Sequence, residues 1–227
     1  MWHGLQAVES LKRGRSRAKE SKRIPAVPRE VVDQTLPFLS PTVAAMVEVV
    51  WHSPVRIEEV VIMRGDEFDT TGEVWLFRPT SWKTQHAEEH GKERAIPVGP
   101  NTQAVLKPFM ERAKGGYLFK PSDGAGKTQQ HHGECYTTES MRQAIHRACD
   151  QAWPLPDHLA RRKIEASGRK HHKLETHQAW RRRLGDAGWA EVLAWRQQHR
   201  WNPNQLRHAK LTRLEREYGT EKARRIA

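Results

Sequence analysis

Arg56 and Glu59 stand three residues apart in the segment SPVRIEEV. An arginine guanidinium is a planar fork that binds two phosphate oxygens at once. A carboxylate one turn further along a helix can hold that fork in place, although the same spacing also describes an ordinary surface ion pair. A second candidate is Asn204-Gln205-Leu206-Arg207-His208. It follows Asn202-Pro203, a helix start with Asn as N-cap and Pro at the first helical position. Asn204 and Arg207 then share one face of the first two turns, where free N–H groups and the helix dipole favour phosphate. The plainer reading is a basic amphipathic helix with Leu206 and Leu211 inward. Lys83 is the third candidate: a lysine on a polar loop can reach into a groove and protonate a leaving oxygen. It is equally an ordinary surface lysine.

Other chemistries fit less well. His86 with His90, His131 with His132, and His171, His172 and His177 invite a zinc reading. None is joined by a Cys-x-x-Cys pair or completes a four-ligand spacing, so no metal site and no cofactor are expected. GAGKT at 124–128 lacks the first glycine of a P-loop and follows no clear strand.

The partner class follows from charge. The 227 residues carry 39 Lys+Arg against 27 Asp+Glu, a formal net charge of +12. That surplus points to a polyanion, nucleic acid first and an anionic membrane surface second. Hydrophobic residues at 37% are too many for a disordered chain. Nine Trp supply large buried area despite only three Tyr and five Phe. No stretch approaches the roughly 20 apolar residues of a membrane span, and no signal peptide is expected at the N-terminus. Two cysteines, Cys135 and Cys149, make no disulfide framework. A reducing, cytoplasmic location is expected.

The elements that must position the candidates can be read in order. Residues 11–23 (LKRGRSRAKESKR) form a basic arm, and 1–27 is expected to be a linker ending at Pro25 and Pro28. Ser40-Pro41 starts a helix with Val43, Met46, Val47 and Val50 on one face. Ser53-Pro54 repeats that signal, with Ile57, Val60 and Val61 inward and Arg56 and Glu59 on another side. Glu73–Arg78 and Arg94–Val98 read as two strands of a hairpin with a long polar tip, Pro97 marking an edge strand or strand end. Helices are expected over Asn101–Ala113 and Thr138–Trp153, and from Pro203 to Gly219, with one more from Thr220. Tyr117-Leu118-Phe119 is a short extended piece and 122–134 a loop. Residues 154–200, rich in Arg, His and Trp, are expected to hold short helices ordered by Trp180, Trp189 and Trp195. No internal repeat is present.

Taken together and in order, these segments resemble the catalytic domain of tyrosine recombinases, the phage-type integrases. That pattern has T-G-x-R-x-x-E, then a lysine in a β-hairpin, then H-x-L-R-H at a helix start. Here SPVRIEEV supplies Arg56 and Glu59. FRPTSWKTQHAEEHGKERAIPVGP is similar to the K-T…G-K-x-R-x-I-P-x-G-P stretch and places the lysine at Lys83. WNPNQLRH places Arg207 as the second arginine, with Asn204 where the family has His. The similarity runs in fragments from about Val31 to Ala227, with 154–200 as a basic Trp-rich insertion between matching blocks. The resemblance implies a mainly α fold with a small antiparallel β-hairpin or sheet (α+β), over residues 28–227.

It also implies a reaction, DNA strand cleavage and rejoining through a 3′-phosphotyrosine, without metal or nucleotide. Arg56 and Arg207 would stabilise the phosphorane, Lys83 would protonate the leaving 5′-oxygen, and Asn204 would hydrogen-bond the phosphate. Glu59 would support Arg56. Lys12, Arg13, Arg15, Lys92, Arg94, His208 and Lys210 would contact double-stranded DNA, and a full-length chain would assemble as a tetramer on it. The family's L-G-H segment and its tyrosine would begin where this sequence ends at Ala227, so the chain is expected to lack the nucleophile, as a truncated or decayed integrase of a mobile element. Tyr218 would lie about 16 Å along its helix from Arg207 at 1.5 Å per residue and is not expected to replace it. The alternatives are a non-catalytic DNA-binding remnant and a basic RNA- or ribosome-associated protein.

Overall fold

The computed structural model describes residues 24–81, 94–124, 133–164 and 173–226. Prolines and small polar residues set the first elements. Pro28 precedes α1 (Arg29–Thr35), and Ser40 caps α2 (Pro41–His52) by accepting a hydrogen bond from the Val43 N–H at 3.3 Å. α2 is apolar on nearly every side: Val43, Met46, Val47, Val49, Val50 and Trp51 are all buried. A helix that is hydrophobic all round belongs in the centre of a domain, and α2 forms the axis of the main core.

Ser53 closes α2, its hydroxyl donating to the Val49 carbonyl. The next helix, α3 (Ile57–Val61), therefore begins three residues later than the Ser53-Pro54 signal suggests, with Arg56 as its N-cap. Both sides of this short helix are enclosed, because Glu59 is buried alongside Ile57, Val60 and Val61. The expectation that Glu59 lies away from the inner face is thus corrected.

β1 (Phe68–Asp69), β2 (Trp75–Phe77) and β3 (Ile96–Val98) form an antiparallel sheet in the order β1-β2-β3. Trp75 pairs with Val98, Leu76 with Pro97 and Phe77 with Ile96. Pro97 sits on an edge strand, where a missing N–H is tolerated. β1 was not anticipated. The hairpin tip, with Lys83, His86, His90 and Lys92, lies outside the described residues. Its entry is fixed by buried Glu67, which accepts from the Arg64 N–H at 2.9 Å and from Thr80 N and Oγ1 at 2.9 and 2.8 Å.

α4 (Pro100–Ala113) and α5 (Thr138–Ala152) close the core, with Leu106, Met141 and Ile145 fully buried. The described fold is mainly α with a small antiparallel sheet.

The basic Trp-rich stretch holds a strand ribbon in addition to the short helices expected. A two-stranded ribbon, β4 (Lys163–Ile164) with β5 (Lys173–Leu174), leads into α6 (His177–His199), 23 residues in two helical segments. α6 is kinked at Gly185, where φ is 64° and ψ is −173°. Leu159, Trp180 and Val192 make a small separate core, joined by Leu155, Leu184 and Trp189. Trp195 instead stacks on His199 with ring centres 3.9 Å apart. α7 (Pro203–Tyr218) returns to α2, and α8 (Thr220–Ile226) packs on α7. Gln205 of α7 holds the entering chain, donating to the Pro25 carbonyl and accepting, through its own carbonyl, from Val27 N.

Two predictions follow from local chemistry. The Gly185 conformation is open almost only to glycine, so Gly185→Ala is expected to destabilise the protein by about 1–3 kcal/mol in urea denaturation. In the second, burial raises the Glu48 pKa, but hydrogen bonds from His52 and Arg29 outweigh it and bring the group from 4.5 down to about 2. A carboxylate depressed in the folded state stabilises above its unfolded pKa and loses that contribution as pH falls through the folded value. Stability should therefore decline between about pH 5 and about pH 2 by about 2 kcal/mol more in the wild type than in Glu48→Gln.

Candidate functional site

Arg56 enters the site through its backbone. As N-cap of α3 it has φ −83° and ψ 153°, and its N–H donates to Glu59 Oε2 at 2.7 Å. Glu59 N–H donates in return to the Arg56 carbonyl at 3.1 Å. This reciprocal cap turns the Glu59 carboxylate back over the start of the helix and buries it to 1% exposure.

A carboxylate taken out of water needs compensating charge and hydrogen bonds. The closest cation is Arg94, at the entry to β3: its Nε lies 2.6 Å from Glu59 Oε1, and its Nη2 donates to Oε2 at 3.4 Å. Arg56 Nη1 stands further off, 3.6 Å from Oε1. Among the described residues, that buried Nη1 has no hydrogen-bond acceptor. The Arg94–Oε1 contact is an ion pair without the alignment of a hydrogen bond.

Arg207 arrives from α7. Its Nη1 donates to the Pro54 carbonyl, clipping the helix start to the residues just before Arg56. Five residues of helix lie between this clip and a second. Arg213 donates to the Trp51 carbonyl and lies 4.3 Å from the centre of the Trp51 ring. Both arginines cap the chain where α2 ends, a position that favours cations. Burial, then the neighbouring Arg56 and Arg94 charges, push the Arg207 pKa below its ordinary value, with Glu59 and Glu58 acting against them. Arg56, Arg94 and Arg207 thus gather around one buried carboxylate. Three guanidiniums and one carboxylate leave a local charge of +2, suited to a phosphodiester.

The remaining expected residues are placed as follows. Asn204 is exposed and lines a cavity of about 290 Å³ with Ile57, Glu58, Arg142 and Asn202. Asn202 is the N-cap of α7 as expected, but its side chain is turned to another partner. Its Oδ1 lies 3.0 Å from His146 Nε2, while Gln205 Oε1 accepts from the Asn202 N–H at 2.8 Å. His208 is exposed beside Arg207, and Lys210 is half-buried, its amine pushed below its ordinary pKa by burial and then by Arg213. Arg94, expected as a surface DNA contact, is only 14% exposed at its side chain. Lys12, Arg13, Arg15, Lys83 and Lys92 lie outside the described residues.

The tyrosines are engaged elsewhere. Tyr117 lies under the Arg64 guanidinium at 5.2 Å. Tyr136 is half-buried near Ser40, its phenol pKa raised by burial. Tyr218 is exposed at the far end of α7, its pKa raised by a hydrogen bond with Glu217. Among the described residues no group of three or more His, Cys, Asp or Glu could hold a metal. His177 rests edge-on against Trp180 and Trp189. No described helix is long and apolar enough to cross a membrane.

No protein-family model and no curated protein matches the sequence. Among solved structures, the chain is similar to the XerH site-specific recombinase bound to its difH substrate in a pre-cleavage complex. Identity is 12%, the TM-score 0.46, and the match covers 93% of this chain and 48% of that one. The chain therefore spans about half the length of that recombinase chain.

Removing the Glu59 charge leaves buried guanidiniums uncompensated. Glu59→Gln is expected to lower unfolding free energy by about 3–5 kcal/mol in urea. A surface pair would lose less than about 1 kcal/mol.

Proposed function

We propose that this chain grips a phosphodiester of double-stranded DNA between Arg56 and Arg207, and that it is a catalytic-domain region of the tyrosine recombinase type. The observation that carries this reading is convergence. Arg56 and Arg207 are 151 residues apart (207 − 56), yet a hydrogen bond from Arg207 to the residue pair preceding Arg56 brings both to one buried carboxylate. Such an arrangement costs free energy through like-charge repulsion and burial. An anion bound between the forks relieves both.

In the proposed reaction the two guanidiniums stabilise the five-coordinate phosphorane as negative charge builds on its non-bridging oxygens. Lys83, three residues beyond Thr80 in the sequence, gives its proton to the leaving 5′-oxygen. Asn204 donates a hydrogen bond to the phosphate and has no titratable proton to offer. The attacking group is a tyrosine hydroxyl, which joins the 3′-phosphate and is later displaced by a 5′-hydroxyl. Tyr117, Tyr136 and Tyr218 are held away from the cluster. That favours a second reading for these 227 residues taken alone, DNA binding without cutting.

Fluorescence anisotropy with a duplex oligonucleotide tests the binding. Arg56→Ala and Arg207→Ala should each weaken it about tenfold. Wild-type affinity should fall steeply with added salt, as phosphate neutralisation releases counterions. With a nicked suicide duplex the chain should give no covalent protein–DNA band. Salt-independent binding, or arginine variants that bind like the wild type, would refute the phosphate site.

A further inference from the structure

We propose that Arg94 is a positioning residue: it neutralises Glu59, so that the Arg56 and Arg207 forks face the phosphodiester without a carboxylate competing for them. This rests on the phosphate-binding reading above. The contacts around Glu59 are unequal. Arg94 Nε is 2.6 Å from Oε1, while Arg56 Nη1 is 3.6 Å from the same oxygen. Glu59 holds Arg56 chiefly by its backbone N–H at 2.7 Å, the fork's Nη1 making only a longer ion-pair contact at 3.6 Å. The Arg94 side chain is 14% exposed and that of Arg56 is 23% exposed. Arg94 is therefore the deeper of the two, turned to the carboxylate rather than to solvent.

Charge conservation gives this inequality a consequence. With Arg94 present the cluster carries +2 beside one paired carboxylate. Without it, Glu59 remains buried and must recruit another cation. The nearest is Arg56, and its capture would leave the cluster at +1 and turn one fork away from the DNA. Arg94 lies two residues before β3, whose Ile96 is registered against Phe77 and whose Val98 is registered against Trp75. A direct phosphate contact by Arg94 is the competing role, and the two predict different double-variant behaviour.

Duplex affinity of the full chain is measured by anisotropy at low salt, with folding checked by circular dichroism. Arg94→Gln should weaken binding about tenfold. Arg94→Lys keeps the countercharge and should cost about threefold or less. The double variant E59Q/R94Q removes both charges of the pair, restores the +2 balance, and should recover most of the affinity that R94Q loses. A double variant as weak as R94Q overturns the proposal, because Arg94 then touches the phosphate itself. So does an R94Q variant that binds like the wild type. Should R94Q fail to fold, E59Q/R94Q compared with R94K decides: near-equal affinities are expected, and a tenfold deficit in the double variant overturns it. Arg56→Ala and Arg207→Ala run alongside separate this outcome from failure of the phosphate site as a whole.

Discussion

One buried carboxylate organises the site. Glu59 is 1% exposed and sits at the third position of a five-residue helix. Its burial is tolerable only because the Arg56 N–H and the Arg94 guanidinium reach it. Three segments are thereby committed to one place: the turn after α2, the first residue of the described β3 approach, and, through the Pro54 carbonyl, the start of α7. The cost of leaving that carboxylate uncompensated is what fixes the relative positions of the arginines.

α2 provides the rigid reference for these contacts. Its apolar surface packs against α4, α5 and α7; Arg213 of α7 attaches to the Trp51 carbonyl near its C-terminus and Arg207 to the Pro54 carbonyl just beyond it. Trp51 lies between two cations, Arg29 on one contact and Arg213 on the other, at 5.2 and 4.3 Å from its ring centre. An apolar helix end wrapped in arginine lets a strongly basic chain fold: the cations are used in packing as well as displayed to a partner. The module around Trp180 repeats the device. Glu175, 5% exposed, accepts from Arg183 and from the Arg162 N–H, and its pKa is lowered by Arg183 first.

Much of this was legible in the sequence, and the part that was not has a physical reason. Helix starts at Ser40-Pro41 and Asn202-Pro203, the strand pair around Trp75–Phe77 and Ile96–Val98, and the inward face of α2 were all visible, because caps, proline and apolar spacing are local signals. Arg56, Glu59 and Arg207 stood out as a set only when read in order along the chain. The burial of Glu59 was hidden, since a glutamate on a short helix looks solvated until a partner 35 residues away (94 − 59) is known. Arg94 was marked as a DNA contact, but its pairing with Glu59 was hidden for the same reason. The break at Gly185 was legible, since its non-helical φ and ψ divide α6 into two helical segments, whereas Gly188 lies inside the second of them. Asn202 stands at the N-cap of α7 as local spacing suggests, while a histidine 56 residues away engages its side chain.

The central claim is that a phosphodiester sits between Arg56 and Arg207. The most direct measurement is NMR of the arginine Nε–Hε groups in isotopically labelled protein, assigned by single arginine variants, during titration with a duplex oligonucleotide at low salt. The account predicts that the Arg56 and Arg207 signals shift together and saturate at one stoichiometry. Unmoved Arg56 and Arg207 signals, with shifts confined to surface arginines such as Arg181 and Arg182, would contradict it.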